Sequence, residues 1–320
     1  MKVLVVGGAG FIGSHVVDYL LDKNIASSVI VYDNFAAGRQ WHLRRHGGDK
    51  RLTLCQHDIY DPDIFDAARG ADLAVHLASN PDIAKAATEP DIDFHQGTAL
   101  TQIVLEALRK GGCRHLLYAS GSGVYGDAGN ESVTEKFTPM QPISTYGASK
   151  LACEALICSY CFMFDLKASA FRFGNVVGGR QTHGVAYDFL RKLRVDSSKL
   201  EVMGNGYQSK PYIDVGDVVE AMFVAYRVQS TPFDVYNVAT ADSITVREIV
   251  DIVLERLRIP HGQCSVSYGE RDRGWKGDVS IVRLNSEKIR GLGWSNRYAS
   301  AEAMRRSVKA MLADIDCVAP

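Results

Sequence analysis

The chain contains no apolar run that approaches the ~20 residues a helix needs to span a bilayer, so a membrane-crossing helix is not expected. It has almost no net charge, formally -1 at pH 7. That excludes the broad basic field that draws a protein to nucleic acid or to an anionic membrane surface. Local basic pairs such as Arg44-Arg45 read as solvated surface. The seven cysteines are odd in number and scattered, a usage that fits reduced cytosolic thiols and not a disulfide framework. One C-x-x-C, Cys158 and Cys161, sits in a stretch with helical apolar spacing. With no second ligand pair, it reads as small buried thiols on a helix and not as a metal site. Neither an internal repeat nor a low-complexity linker is present. Met1 to Val6 runs from one lysine through β-branched residues into a glycine turn, without a cleavage-type segment. A first strand is expected there and not a signal peptide, with the protein in the cytoplasm.

What is present is the composition of a globular protein with ample material for a core: 46% hydrophobic and 23% charged over 320 residues. Short apolar runs alternate with helical patterns up to about residue 173. The expected strands are Lys2–Val6, Ser28–Asp33, Leu52–Gln56, Leu73–Leu77, His115–Ser120 and Lys167–Phe171. The expected helices are Phe11–Asp22, Pro62–Ala68, Phe94–Lys110 and Thr145–Phe164. Strands this apolar, alternating with helices, predict a parallel sheet covered on both faces. After Asn175 the rhythm changes. Helices are expected near Val185–Leu193, Val215–Tyr226, Val246–Leu257 and Ala301–Leu312, with short strands between them. Thr245 and Glu248 have capping-box spacing at the start of the third. The fold class is therefore α/β: a doubly wound, Rossmann-type domain over 1–173, then a smaller α/β substrate domain over 174–320 with some segments returning to the first.

The first strand runs directly into Gly7-Gly8-Ala9-Gly10-Phe11-Ile12-Gly13, which opens a helix. Gly7, Gly10 and Gly13 allow a tight turn there and let backbone N–H groups and the helix N-terminus approach a pyrophosphate. Asp33 ends the second strand, 20 residues after Gly13. A carboxylate there accepts hydrogen bonds from the adenosine ribose and repels the extra phosphate of NADP, so NAD is the expected cofactor. Asn34 and not an arginine follows it. Asp58 and Ile59, after the third strand, are placed to meet the adenine. Leu77, Ala78 and Ser79 end the fourth strand, where backbone passes beneath the cofactor. His76 just before them reads as structural and not as a proton carrier.

Tyr146 and Lys150 stand four residues apart in a helical stretch, on one face. An ammonium beside a phenol favours the phenolate, the form that can take a proton. After the fifth strand of a dinucleotide fold, that pair is a candidate base.

With these residues the chain resembles the extended short-chain dehydrogenase/reductases, in the NAD-dependent nucleotide-sugar epimerase/dehydratase group. The carrying segments are Gly7–Gly13, Asp33, Asp58, Ala119–Gly126, Tyr146 and Lys150, Arg172–Asn175, Gly204–Tyr212 and Leu292–Trp294. The resemblance implies hydride transfer at a sugar C4, with Ser120 and Phe173 near the cofactor. It implies that Asn175 approaches a sugar diphosphate and that Lys210 takes the place of a usual arginine. Arg273 is the candidate second phosphate contact, although Trp275 holds the spacing where arginine is usual. It also implies a homodimer through the helices Phe94–Lys110 and Thr145–Phe164.

Two positions depart from the family pattern. Gly121 stands where a serine or threonine hydroxyl usually precedes Val124-Tyr125-Gly126. In a regular strand neither Ser120 nor Ser122 points where that hydroxyl did; a glycine turn brings Ser122 in, and a water is the alternative. Gly97 stands near the place of a usual cofactor-contacting asparagine. The segment Gly121–Tyr125 also has no acid. Dehydratases of the group carry acids there to move the C5 proton and C6 hydroxyl, whereas 4-epimerisation needs neither. A nucleotide-sugar 4-epimerase acting on a UDP-hexose is thus expected, with Tyr146, Lys150 and Ser122 as the reacting residues. The alternatives are a 4,6-dehydratase, an epimerase at another carbon, or a non-catalytic NAD-binding scaffold. No metal is expected.

Overall fold

The protein is described here by a computed structural model covering residues 1–260 and 262–318. Its first half alternates β1 (Lys2–Val6), α1 (Phe11–Asp22), β2 (Ser28–Tyr32), β3 (Leu52–Cys55), α2 (Asp63–Ala68), β4 (Leu73–His76), α3 (Leu100–Gly111), β5 (His115–Gly121), α4 (Thr145–Met163) and β6 (Lys167–Phe173). The second half holds β7 (Asn175–Val177), α5 (Val185–Val195), β8 (Lys199–Val202), β9 (Ser209–Lys210), β10 (Tyr212–Asp214), α6 (Val215–Val228) and β11 (Phe233–Val238). It ends with β12 (Ile244–Thr245), α7 (Val246–Leu257), β13 (Ser265–Tyr268), α8 (Glu287–Arg290) and α9 (Ser300–Val318).

Seven strands form one sheet in the order β3-β2-β1-β4-β5-β6-β11; every pairing in it is parallel. The order reverses between β1 and β4, which opens a crevice at the carboxyl ends of those strands. Alternation of side chains along β1 feeds two cores. Val3 and Val5 pack with Val16 and Leu20 of α1 and Val218 and Met222 of α6. Leu4 and Val6 pack with Ile64 of α2, Val104 and Leu108 of α3 and Ile157 of α4. A third core joins Leu190 of α5, Val253 of α7 and Val308 of α9. The first sheet is thus completed by chain from beyond residue 174: β11 pairs with β6, and α6 covers one face.

The capping box at α7 forms, with the Thr245 N–H donating to Glu248 Oε2 (2.7 Å) and the Glu248 N–H to Thr245 Oγ1 (3.2 Å). The expected helix Phe94–Lys110 is divided: Phe94–Ala99 is a π-helical turn, and regular α-helix begins at Leu100. Gly97 lies in that turn directly against α4, where a Cβ would come within 2.2 Å of Ser149 Oγ. A 3-10 segment, Gln40–His46, was not expected from its mixed basic pattern. Among the described residues no helix is long and apolar enough to cross a membrane.

Candidate active site

The glycine turn closes the crevice from below. Gly7 has φ +79°, and a Cβ on it would lie 2.7 Å from the Ala78 nitrogen. Leu77 and Ala78 both donate their N–H to the Val6 carbonyl (2.9 and 3.1 Å), which brings the end of β4 against the turn. A Cβ on Gly13 would lie 2.2 Å from the Gly7 carbonyl oxygen, so only glycine lets α1 start this close to β1. Gly10 caps α1 in an extended conformation without any side chain, leaving the helix N-terminus bare. Phe11, Ile12 and Ser79 are half-buried beside it.

Asp33 braces the turn. Its Oδ2 accepts from the Ala9 N–H (2.9 Å) and its Oδ1 from the Phe35 N–H (2.8 Å). Burial pushes the carboxyl upward, and the two N–H bonds act against that. Each oxygen keeps a further lone pair for a ribose hydroxyl. Asn34 Nδ2 donates to Asp58 Oδ2 (2.8 Å), and Ile59 is buried next to Asp58. His42, which no sequence pattern marks, places Nδ1 2.7 Å from the Ala9 carbonyl oxygen and holds the same loop. A cradle that any Cβ would fill, a bare helix N-terminus and a carboxylate at the β2 end together fit a dinucleotide.

Tyr146 and Lys150 occupy the first turns of α4, capped by Ser144 Oγ accepting from the Gly147 N–H (3.1 Å). Lys150 is only 4% exposed. Its Nζ donates to the Ala119 carbonyl (2.8 Å) and stands 5.5 Å from the centre of the Tyr146 ring. Its partner there is a carbonyl and not a carboxylate, and the same Nζ stands 5.0 Å from the centre of the Tyr118 ring. His76 is fully buried, with Nε2 3.0 Å from Thr101 Oγ1. Burial first and the Lys150 charge second hold its pKa down to about 3, which keeps it neutral.

Strand β5 stays extended through Gly121 (φ -162°, ψ 165°), and the chain turns at Ser122, the start of a 3-10 turn Ser122–Tyr125. Regular alternation therefore points Ser120 to the buried side, where Oγ donates to Glu154 Oε1 (2.5 Å). A Cβ on Gly121 would meet nothing within 4 Å. Ser122 is half-buried at the start of the turn. The turn sits directly on α4: a Cβ on Gly147 would come within 2.4 Å of the Gly123 carbonyl oxygen. Ser122 is thereby carried on a segment that packs beside Tyr146.

The second half of the chain supplies the opposite wall. Asn175 opens β7, its N–H donating to the Pro211 carbonyl (2.9 Å), and it pairs in register with Tyr212. Lys210 and Arg273, far apart in sequence, meet around Asp278. Lys210 Nζ donates to Asp278 Oδ1 (2.6 Å), and Arg273 Nη1 to the Asp278 carbonyl (3.1 Å). Arg273 also pairs with Asp127, at 2.6 Å, next to the Ser122–Tyr125 turn. Arg283, which carried no sequence signal, braces the Lys210 strand by donating to the Ser209 carbonyl (3.0 Å). Phe173 is buried at the end of β6.

A dinucleotide cradle at the carboxyl ends of a parallel sheet, with a Tyr-Lys pair on the adjoining helix, defines a nucleotide-cofactor enzyme of the doubly wound α/β class. The model of the NAD dependent epimerase/dehydratase family matches residues 3–239. The chain belongs to that family, and NAD is its cofactor. It is similar to a putative UDP-glucose 4-epimerase of Methanocaldococcus jannaschii, 28% identical over 316 residues that cover 97% of this chain and 98% of the relative. A solved UDP-galactose 4-epimerase is 35% identical with a TM-score of 0.85, over 98% of this chain and 99% of that one. A dTDP-glucose 4,6-dehydratase of Streptomyces venezuelae, solved with NAD bound, reaches a TM-score of 0.90 at 26% identity, over 99% of this chain and 98% of that one. Overall shape thus matches epimerase and dehydratase alike, and the residues facing the crevice must separate them.

Proposed function

We propose that the protein is a nucleotide-sugar 4-epimerase acting on a UDP-hexose. The observation that carries this reading is the turn Gly121–Tyr125: it packs on α4 beside Tyr146 and brings no acid there. NAD, held by the Gly7–Gly13 cradle and Asp33, supplies the acceptor and then the donor of the C4 hydride. Tyr146 takes the proton from the sugar O4 as the C–H bond is given up, and returns it afterwards. Lys150, buried with its Nζ on the Ala119 carbonyl, reaches the nicotinamide ribose and holds it beside Tyr146. Ser122 donates a hydrogen bond to O4. Lys210 and Arg273 exchange their carboxylate partners for the diphosphate, joined by Asn175. The 4-keto sugar would then turn over in the space that Gly121 leaves open, presenting its other face to the cofactor. Phe173 lines the cofactor side at the end of β6, and Ser120 does so through its backbone alone, its hydroxyl being committed to Glu154.

A homodimer through the α3 and α4 region is part of the same reading, supported by Phe162 and Met163, which are 71% and 70% exposed at the end of α4. Sedimentation at micromolar protein tests it; a monomer overturns it. The activity is tested by incubating the protein with UDP-, GDP-, dTDP- and CDP-hexoses and following the sugar protons by NMR. Inversion at C4 of the UDP-hexose, without net change in NADH absorbance, is expected. A 4-keto-6-deoxy product means a dehydratase, and no turnover of any sugar with NAD bound means a scaffold.

A further inference from the structure

Beneath the Ser122–Tyr125 turn lies a buried polar network that the mechanism above does not use. Its centre is Glu154, which continues the stripe of Tyr146 and Lys150 at the same four-residue spacing along α4. Glu154 and Arg172 of β6 are both buried and form a bidentate pair, Nε to Oε1 at 3.0 Å and Nη2 to Oε2 at 2.6 Å. Each partner then reaches one end of the turn. Glu154 Oε1 accepts from Ser120 Oγ (2.5 Å), the residue before Gly121. Arg172 Nη1 donates to Tyr125 Oη (2.9 Å), the last residue of the turn. The Tyr125 hydroxyl in turn donates to Asn237 Oδ1 of β11 (2.7 Å), and Asn237 Nδ2 is held by the carbonyls of Val133 and Asn285 (3.0 Å each).

Removing two charges from water costs about as much as their pairing returns, so a buried pair contributes little net stability. What this pair does supply is position. Between its two attachment points lie Gly121, Ser122, Gly123 and Val124. Two glycines give that stretch more freedom to lose than any other residues would. The Cβ direction of Gly121 is empty, so packing does not hold it there.

We propose that Glu154 and Arg172 are positioning residues that clamp both ends of the Gly121–Val124 segment to α4, fixing Ser122 relative to Tyr146. The base and the turn are thereby referred to one helix. The clamp rests on the 4-epimerase reading only for what Ser122 and Tyr146 do to the sugar.

Glu154→Gln is the direct variant, but it strands a buried guanidinium and puts folding at risk. Ser120→Ala and Tyr125→Phe each cut one link and leave the ion pair whole. Amide hydrogen exchange over Gly121–Val124 and steady-state kinetics are measured on the NAD-loaded protein. The expected result is exchange at these amides at least roughly tenfold faster in each variant, with the rest of β5 and α4 unchanged. With it kcat falls by roughly 3- to 30-fold, the scale of one hydrogen bond, while KM and NAD content stay the same. Wild-type exchange in both variants overturns the clamp whatever the activity. Faster exchange with unchanged kcat overturns its role in positioning. If wild-type protein turns over no nucleotide sugar, the epimerase reading has failed, and exchange alone decides the clamp.

Discussion

The chain has two glycine-rich turns at the carboxyl ends of central parallel strands, one after β1 and one after β5, and they are built on opposite principles. In the first, the glycines are demanded by backbone. Cβ atoms on Gly7 and Gly13 would run into Ala78 and into the Gly7 carbonyl, at 2.7 and 2.2 Å. In the second, Gly121 is extended and faces open space, and nothing local requires glycine there. Beyond the contact of the Gly123 backbone with Gly147 of α4, that turn is held by side chains from α4, β6 and β11. A turn shaped by backbone contact is rigid and suits a bound cofactor. The second keeps the Cβ side of Gly121 free, the space that the proposed rotation of the sugar requires.

The largest effect on stability and on bound cofactor should come from breaking the first turn. Wild-type protein is expected to purify with NAD(H), because turnover that regenerates its cofactor gains nothing from releasing it. Gly13→Ala forces a methyl against a carbonyl oxygen in backbone that cannot yield, at a cost of about 1–3 kcal/mol or more. The variant should lose bound nicotinamide nucleotide and melt at a lower temperature. Denaturing both proteins and assaying the supernatant decides the matter; full NAD in the variant contradicts the cradle, and NADP in the wild type contradicts the role of Asp33.

The same contrast governs what the sequence made legible. The first turn is local: Gly7–Gly13 and Asp33 carry their chemistry in spacing alone, and the six strands of the first half are visible as apolar runs. The α7 capping box is local too. What lies between distant segments is not. Glu154 sits on the Tyr146 stripe of α4, yet its partner Arg172 is on strand β6 and meets it only once α4 packs on that strand. His42 reaches Ala9 from a 3-10 segment without periodicity. Lys210 and Arg273 converge through Asp278, a contact that no spacing encodes. The break of the third long helix at Gly97 follows from close approach to Ser149, again a tertiary cause. Strand β11 carries an ordinary short apolar run, and only its place beside β6 makes it part of the first sheet.

The largest effect on turnover alone should come from the proposed base, which faces the second turn. Tyr146→Phe removes one oxygen and should leave folding and bound NAD intact while lowering kcat by about 10²–10⁴-fold. A loss under tenfold means that the proton goes elsewhere. Lys150→Met should lose activity and also NAD affinity, because its ammonium serves both; equilibrium dialysis with NAD separates the two losses. Ser122→Ala should lower kcat by the worth of one hydrogen bond to developing charge, about 1.5–3 kcal/mol. That is roughly 10- to 150-fold at 1.36 kcal/mol per factor of ten. A silent Ser122→Ala assigns the O4 contact to a water or to Tyr146 alone.

The smallest effect, and the sharpest test of the comparison, is at Gly121. Its backbone suits any residue, and a methyl there meets no atom within 4 Å. Gly121→Ala should therefore stabilise the protein by about 0.4–1 kcal/mol, by narrowing the unfolded ensemble. This is the opposite sign to Gly13→Ala, from the same chemical change. Urea unfolding of the NAD-loaded proteins measures both. Gly121→Ser adds a hydroxyl on the face that the strand presents to the crevice. Turnover that rises or holds means that the site simply lacked that hydroxyl. Lost activity with NAD still bound means that the glycine keeps room for a bulkier or differently placed sugar. In that case the second turn is glycine-rich for its substrate, as the first is for its backbone.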